Sequence, residues 1–233
     1  MKTLKTLLLL FCLMATLGSI AGTYQLTGDS IDNISDKRFN KAYMYYSGGI
    51  GFPNYASVLS NFFDTKDYFG IDSIINFSEQ GFGPFHFKFE KAVRRNIGLG
   101  LSVNYVTNTF NMDAKYHGLS YPVELKRTNL SIIFRFNHHF YSNKKVDWYY
   151  GLGVGIRRNS FEWNTTPGVP LSYKLKFNFG IPYGIEISQG MRYYFNEKLA
   201  FYYEFGLTKS LIQVGMTYSV KPKPKKDKDK KKD

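Results

Sequence analysis

The stretch NLSIIFRFNHHF, residues 129–140, determines the fold class that the sequence predicts. Apolar side chains occupy every second position along most of its length, and polar side chains occupy most of the positions between them. One face would carry Leu130, Ile132, Phe134, Phe136 and Phe140, and the other would carry Asn129, Ser131, Arg135, Asn137 and His139. Successive side chains of a β-strand point to opposite faces, so this alternation predicts a strand with one apolar and one polar face.

Seven further segments alternate with the same period of two, namely 42–52, 83–91, 96–108, 147–157, 180–195, 199–206 and 210–220. The sequence therefore predicts eight strands and an all-β fold. Short connections at 92–95, 141–146 and 196–198 alternate with long ones at 53–82, 109–128 and 158–179. This alternation is typical of an antiparallel up-and-down transmembrane β-barrel, although the last connection, 207–209, is short where a long one is expected.

The composition agrees with a membrane barrel. Aromatic residues make up 18% of the chain, while the mean hydropathy is only −0.31. Strands that alternate between lipid-facing and lumen-facing residues keep the average low. The net charge is +13, but the last 13 residues hold eight Lys and three Asp, and no motif of a nucleic-acid module accompanies the remaining charge. We therefore expect no nucleic-acid partner.

The first 21 residues predict export. Lys2 and Lys5 precede the apolar run 7–17, and the small residues Ser19 and Ala21 follow it. This is the layout of a signal peptide, which we expect to be cleaved after about Ala21. The expected organisation is a signal peptide at 1–21, a periplasmic segment at 22–40, the barrel at 41–220 and a disordered Lys-rich tail at 221–233.

The apolar face of the barrel is expected to meet lipid. An eight-stranded barrel has an interior just wide enough for its own side chains, and the polar face is rich in glycine, as a crowded lumen requires. Aromatic residues near the short turns predict a girdle at the lipid headgroups, with Phe140, Tyr141, Trp148, Tyr193, Phe195 and Tyr203 as its members and with Tyr149 and Tyr194 nearby. A secreted lipocalin-like barrel, the main alternative, would have the opposite arrangement of faces.

These features resemble the small outer-membrane β-barrel proteins of the OmpA and OmpX types, over residues 42–220. In the last strand, Gln213, Gly215, Tyr218 and Val220 resemble the signal that barrel-assembly machinery reads. The resemblance implies a bacterial outer membrane, with its lipids and lipopolysaccharide, as the surroundings of the barrel. The Lys-rich tail departs from the family pattern, because such barrels often end at an aromatic residue.

If the polar face lines the lumen, four cations and three anions lie inside. We expect them to form a charge network of Lys88, Glu90, Arg135, Arg157, Glu186, Arg192 and Glu204. Charges in a narrow lumen are tolerated when they are paired, so the favoured interpretation is a lumen filled by salt bridges. A narrow gated pore is the alternative.

No motif predicts catalysis, a metal site or a cofactor. His138 and His139 are adjacent and would point to opposite faces of a strand, so they cannot bind one metal together. The predicted function is a non-enzymatic outer-membrane barrel with a structural or surface-interaction role. Its partner would bind at the outer loops, where residues 55–63 have helical spacing and 69–77 and 173–179 alternate as strands do. An outer-membrane enzyme that modifies lipid A remains an alternative.

Overall fold

The computed structural model describes residues 37–41, 43–54, 73–116, 119–165, 183–207 and 209–221. Within them the chain forms eight strands: β1 (Met44–Asn54), β2 (Ser73–Ala92), β3 (Ile97–Tyr116), β4 (Leu119–Ser142), β5 (Val146–Thr165), β6 (Tyr183–Tyr194), β7 (Leu199–Leu207) and β8 (Ser210–Val220). Each strand pairs antiparallel with its neighbours in sequence, and β1 pairs with β8 to close the barrel. None of these residues belongs to a helix of the length and apolarity needed to cross a membrane.

The short connections lie at 93–96, 143–145 and 195–198, as predicted, and define what we call the short-turn end of the barrel. Asn143 shows why the chain reverses there. Its side-chain oxygen accepts hydrogen bonds from the backbone N–H groups of Lys145 and Val146, at 2.8 and 2.7 Å. Asn196 makes the same contacts with Lys198 and Leu199, so both turns are held by an asparagine side chain.

The predicted long connections were wrong in extent. Residues 109–116 continue β3 and residues 119–128 belong to β4, and the two strands stay paired as far as Tyr116 opposite Leu119. Similarly, β5 runs on to Thr165 and β2 begins at Ser73. Alternation of apolar and polar residues is weak in these parts because both faces carry polar side chains. The predicted helix at 55–63, the strand at 173–179, the signal peptide and the tail beyond residue 221 lie outside the described residues.

Strand lengths divide the barrel into two halves. The four strands β2–β5 have 20 to 24 residues, whereas the other four have 9 to 12. At about 3.3 Å per residue, the longer strands extend roughly 30 Å further along their own direction. They do so at the end opposite the short turns, which we call the projecting end. The architecture is therefore a closed barrel from which a curved four-stranded sheet continues.

The outward face carries an apolar belt with a defined upper boundary. Phe134 is 50% exposed and Ile156 is 64% exposed, although both lie in the middle of long paired strands. Beyond Ile156 the outward positions of β5 become polar, beginning with Arg158, and Lys126 on β4 pairs with Glu162 on β5 at 3.4 Å. The belt is what a lipid-facing surface requires, and the polar positions beyond it suit water.

The inward face is polar and crowded, as predicted. Arg135 and Glu204 are almost fully buried, although they are charged. The inward glycines make room for such side chains: a Cβ atom at Gly151 would lie 2.4 Å from Nη2 of Arg135. At Gly49 a Cβ atom would lie 2.5 Å from the hydroxyl of Tyr202, whose side chain is buried in the lumen. Large side chains therefore fill the space that the missing Cβ atoms leave free.

Candidate functional site: the polar interior of the barrel

The centre of the interior is organised around Glu204 on β7. Its carboxylate contacts Nζ of Lys88 at 2.6 Å and Nη2 of Arg135 at 3.0 Å. The hydroxyl of Tyr149 also donates a hydrogen bond to it, at 2.7 Å. Arg135 also contacts Glu186 across the lumen at 3.4 Å. Residues from β2, β4, β5, β6 and β7 thus meet at one point of the barrel axis, which is how a buried charge must be compensated.

A second group of charges lies closer to the short-turn end. His139 stands between two carboxylates, with Nε2 2.8 Å from Glu90 and Nδ1 2.8 Å from Asp147. Arg192 contacts the same two carboxylates, with Asp147 at 3.3 Å. The guanidinium of Arg192 also stands over the ring of Tyr149, 4.7 Å from its centroid. Two cationic or ionisable side chains therefore share two anions in a fully buried layer.

The chain that precedes β1 covers this layer at the short-turn end. Phe39 is only 1% exposed, and its ring stacks on His139 with 3.4 Å between centroids. Its backbone N–H donates to the hydroxyl of Ser142 at 3.0 Å. Arg38 donates from Nε to the carbonyl of Lys144 at 2.6 Å, and its own carbonyl accepts from Tyr45 at 2.9 Å. Residues 38 and 39 therefore close the short-turn end.

Toward the projecting end, neutral side chains continue the network. Asn104 donates to Glu186 at 2.8 Å and to Ser131 at 3.2 Å. Its side-chain oxygen lies 2.6 Å from Nδ1 of His86. The network therefore extends without interruption from the central ion pairs into a layer of amides and hydroxyls.

The mouth cluster, which consists of Arg127, Asn129, Arg157, Asn159 and Lys209, lies beyond that layer. Lys209 donates to the side-chain oxygen of Asn129, and Asn129 donates to that of Asn159. Arg127 donates to the same oxygen of Asn159 at 3.4 Å. Arg157 lies two positions from Asn159 on β5 and has the same inward orientation. Two asparagines therefore link cations at the mouth of the barrel.

The surroundings of the mouth cluster shift the pKa of Lys209. Lys209 lies in the β7–β8 connection, outside the strands, and burial lowers its pKa to about 7. The positive charges of Arg157 and Arg127 lower the pKa further, and Glu186 opposes them. Three basic side chains therefore lie near one another at the mouth, and the negative charge of Glu79 acts on Arg127 there.

In the structure Lys88, Glu90, Arg135, Glu186, Arg192 and Glu204 form ion pairs with one another, and Arg157 lies in the mouth cluster. His139 and Asp147 belong to the buried network but were not predicted as members of it. Asp147 lies at the start of β5, two positions before Tyr149 and on the same face. The alternation of inward and outward residues along the strand could therefore have identified Asp147 as a lumen residue.

The aromatic residues near the short turns divide between the two faces. Phe140, Tyr141, Trp148, Tyr193, Phe195 and Tyr203 are partly or fully exposed on the outside, and Phe140 stacks on Tyr150 at 4.7 Å. Tyr203 lies at the middle of β7, further from the turn than the others. Tyr149 and Tyr194, which lie beside the girdle residues in the sequence, are instead buried in the lumen.

The last strand contributes to both faces. Gln213 is buried and accepts a hydrogen bond from Lys88 at 2.6 Å. Gly215 lies against the ring of Tyr202, where a Cβ atom would come within 2.7 Å of it. Tyr218 and Val220 lie outside the lumen, and Tyr218 is exposed. The role of these four residues in assembly stays a prediction.

Among the described residues, no group of three or more His, Cys, Asp or Glu is arranged to hold a metal ion. Both inward histidines have side-chain partners: His86 contacts Asn104, and each ring nitrogen of His139 contacts a carboxylate. The interior contacts that the structure describes compensate buried charges.

Comparison with known proteins finds solved structures that are similar in fold. No protein-family model and no curated protein sequence matches the chain. Among solved structures, the outer membrane protein OprG from Pseudomonas aeruginosa is similar, with a TM-score of 0.45 and 11% identity, covering 80% of this chain and 100% of OprG. Ail, the attachment invasion locus protein of Yersinia pestis, solved with the heparin analogue sucrose octasulfate, has a TM-score of 0.34 and 12% identity, covering 77% and 99%.

The structural class of the protein follows from the barrel itself. Eight antiparallel strands close completely, the outward face of the closed part is an apolar belt, and the charged residues are paired inside. A soluble barrel would bury its apolar face and expose its polar one. The chain is therefore an eight-stranded transmembrane β-barrel with the fold of the small outer-membrane β-barrel proteins.

Proposed function

We propose that this protein is a non-enzymatic barrel of the bacterial outer membrane, with a filled and non-conducting interior and a structural or surface-contact role. The observation that carries the proposal is the continuous set of interior contacts, from Phe39 at the short-turn end through Glu204 to Asn104. An ion that entered would have to separate buried ion pairs, and leaving a buried charge without its partner costs about 3 kcal/mol or more.

The proposed orientation follows from the two ends of the barrel. The short-turn end would face the periplasm, and the strands β2–β5 would project from the cell. A signal peptide ending at about Ala21 would direct export, and assembly machinery would read the last strand. Outer-membrane lipids and lipopolysaccharide would surround the apolar belt. The projecting sheet would offer a surface to a partner, which is the contact role of the proposal.

Planar-bilayer recording tests the filled interior. We expect the purified parent barrel to give no stepwise conductance. Glu186→Gln removes one charge of a central pair without a change of shape, Arg135→Gln removes the other charge and shortens the side chain, and we expect both variants to stay closed as well. Stepwise conductance of the parent that either substitution alters would contradict the proposal and favour a gated pore.

Cell fractionation tests the location. The protein should be recovered with the outer membrane and should migrate differently on a gel before and after boiling, as closed barrels do. Recovery in the soluble periplasm without a heat-dependent shift would contradict the proposed location.

A further inference from the structure

Basic side chains surround the short-turn end of the barrel. The exposed ones, which we call the basic rim, are Lys37, Lys41, Lys91, Arg94, Arg95, Lys144, Lys145, Lys198 and Lys221. Among the residues that the structure describes at this end, Glu197 is the one exposed carboxylate. The flanking stretches 22–36 and 222–233 contain six Asp and seven Lys, a net charge of +1, so they do not neutralise the rim. The short-turn end therefore presents a strong positive charge.

The projecting end has a different balance of charge. The outward positions of β3, β4 and β5 there hold three cations and three anions, namely Lys115, Lys126, Arg158, Asp113, Glu124 and Glu162. Lys126 pairs with Glu162 at 3.4 Å. In contrast, the ion pairs of the described residues do not include Lys91, Lys145 or Lys198 of the rim. Attraction for anions is therefore a property of one end of the molecule.

The backbone fixes the rim at one level of the barrel. The carbonyl of Lys145 accepts a hydrogen bond from the N–H of Tyr194, and the carbonyl of Lys198 accepts one from the N–H of Ser219, both at 2.7 Å. These bonds join each turn to the strand beside it. They use backbone groups alone, so the ammonium groups of Lys145 and Lys198 take no part in them. The rim is thus a fixed set of charges.

The rim borders the apolar belt. On β2, Lys91 follows Phe87 and Phe89 on the outward face, and Phe87 is 55% exposed. Lys198 comes three residues after Phe195, which is also exposed. Lipid phosphates lie at such a boundary between hydrocarbon and water, and aromatic side chains mark it. A lysine can keep its apolar stem on the barrel and extend its ammonium group to that level. A lipid surface therefore fits this position better than a polymer in the surrounding water.

We propose that the basic rim binds the phosphate groups of anionic phospholipids in the leaflet at the short-turn end. A phosphodiester offers negatively charged oxygen acceptors to ammonium and guanidinium groups. A zwitterionic headgroup carries its own ammonium, which cancels that charge, so the rim distinguishes anionic lipids from zwitterionic ones. The inference depends on the transmembrane barrel, but not on a filled interior or on the orientation in the cell.

The two tryptophans of the chain provide a local reporter. Trp148 is partly exposed on the outward face, three residues after Lys145, whereas Trp163 lies on the inward face of the projecting part. Trp163→Phe therefore leaves one fluorophore beside the rim. The full barrel is refolded into phosphatidylcholine vesicles that contain either brominated phosphatidylglycerol or brominated phosphatidylcholine. Quenching of Trp148 then gives the relative affinity of each lipid for the nearby surface.

We expect phosphatidylglycerol to have about fivefold higher affinity than phosphatidylcholine at low salt, which corresponds to about 1 kcal/mol. In 1 M salt the preference should fall below about twofold, because the screening length is then about 3 Å. The double variant Lys145→Gln/Lys198→Gln should lower the preference to about twofold or less at low salt. Equal affinity of the parent for the two lipids refutes the proposal, and so does a preference that the double variant retains in full.

A matched control comes from the projecting end. The double variant Lys126→Gln/Arg158→Gln removes the same net charge there, and we expect its lipid preference to equal that of the parent. An equal loss in both double variants would make the attraction a general effect of net charge and would refute a site at the rim. Heat-dependent mobility confirms folding of each variant, and Lys145→Arg/Lys198→Arg, which keeps the charge, should keep the preference.

A further arm separates a lipid surface from a soluble phosphate. Glycerol 3-phosphate, added at constant ionic strength, should leave the preference for phosphatidylglycerol unchanged, because a bilayer presents many phosphates to the rim at once. Loss of the preference would assign the rim to a soluble phosphate compound and would contradict the lipid surface.

Discussion

Glu204 compensates two buried cations at the centre of the interior, so its substitution should destabilise the whole barrel. It compensates Lys88 and Arg135 and accepts from Tyr149. We expect Glu204→Gln to lower the free energy of unfolding by about 3 kcal/mol, because two buried cations lose their shared anion. The measurement is urea unfolding in lipid vesicles, followed by gel mobility.

Glu197 provides the control for that prediction, since it is exposed in the 195–198 connection. Glu197→Gln removes the same charge and should change stability by less than about 0.5 kcal/mol. Adding Lys88→Met to Glu204→Gln should recover part of the lost stability, because one uncompensated cation is then gone. Equal effects of Glu197→Gln and Glu204→Gln would show that Glu204 has no special role.

Two adjacent glycines allow a second comparison at the residue scale. At Gly49 a Cβ atom would lie 2.1 Å from the carbonyl oxygen of Val214, whereas at Gly48 it would meet nothing within 4 Å. We expect Gly49→Ala to destabilise the barrel by about 2 kcal/mol or more, through overpacking of backbone against backbone. Gly48→Ala should be nearly neutral in the same urea assay. A neutral Gly49→Ala would mean that β1 and β8 are more loosely joined than the structure shows.

At the scale of the strand, the sequence predicted all eight strands, and the two faces predicted for residues 129–140 are those that the structure shows. Alternation is strong wherever one face meets lipid and the other meets the lumen, as around Phe134 and Arg135. It fades in 109–128, where both faces of the hairpin are partly polar, and the ends of β3 and β4 were therefore missed. A bulge between His139 and Tyr141 also shifts the phase near the turn.

The interior contacts were only partly predictable for a related reason. The alternation of side chains along each strand places Lys88 and Glu204 on the inward face. It does not determine which inward charges form ion pairs. Their pairing depends on the stagger of strands on opposite sides of the barrel, because the two residues are 116 positions apart. The mouth cluster could not be predicted for the same reason, since Lys209 lies outside the alternating segments.

The projecting part of the β3–β4 hairpin should be dispensable for closure. Thr109 and Lys126 are register partners, so residues 110–125 can be replaced by Asn-Gly, a pair that suits a tight hairpin turn. We expect the shortened chain to retain its heat-dependent gel shift, because the ion pairs of the closed part are untouched. Loss of the shift would show that the projecting sheet is needed for the barrel to form.

At the scale of the molecule, the even number of strands places both ends of the barrel sequence at the short-turn end, since β1 begins there and β8 ends there. An epitope inserted between Tyr116 and Leu119 should therefore be stained on intact cells. An epitope placed after Lys221 should be stained only after the outer membrane is permeabilised. The reverse result would invert the proposed orientation.

The pairing of charges across the lumen has a consequence for how the protein enters the bilayer. Lys88 and Arg135 share Glu204 on β7, far along the chain, so a sheet that lacks its last two strands leaves Lys88 without its anion and Arg135 with Glu186 alone. Such an incomplete sheet would expose bare charges and unpaired strand edges to hydrocarbon. Insertion should therefore be concerted, with all strands crossing as the sheet closes. Refolding kinetics measured by tryptophan fluorescence and by gel mobility should then follow one time course.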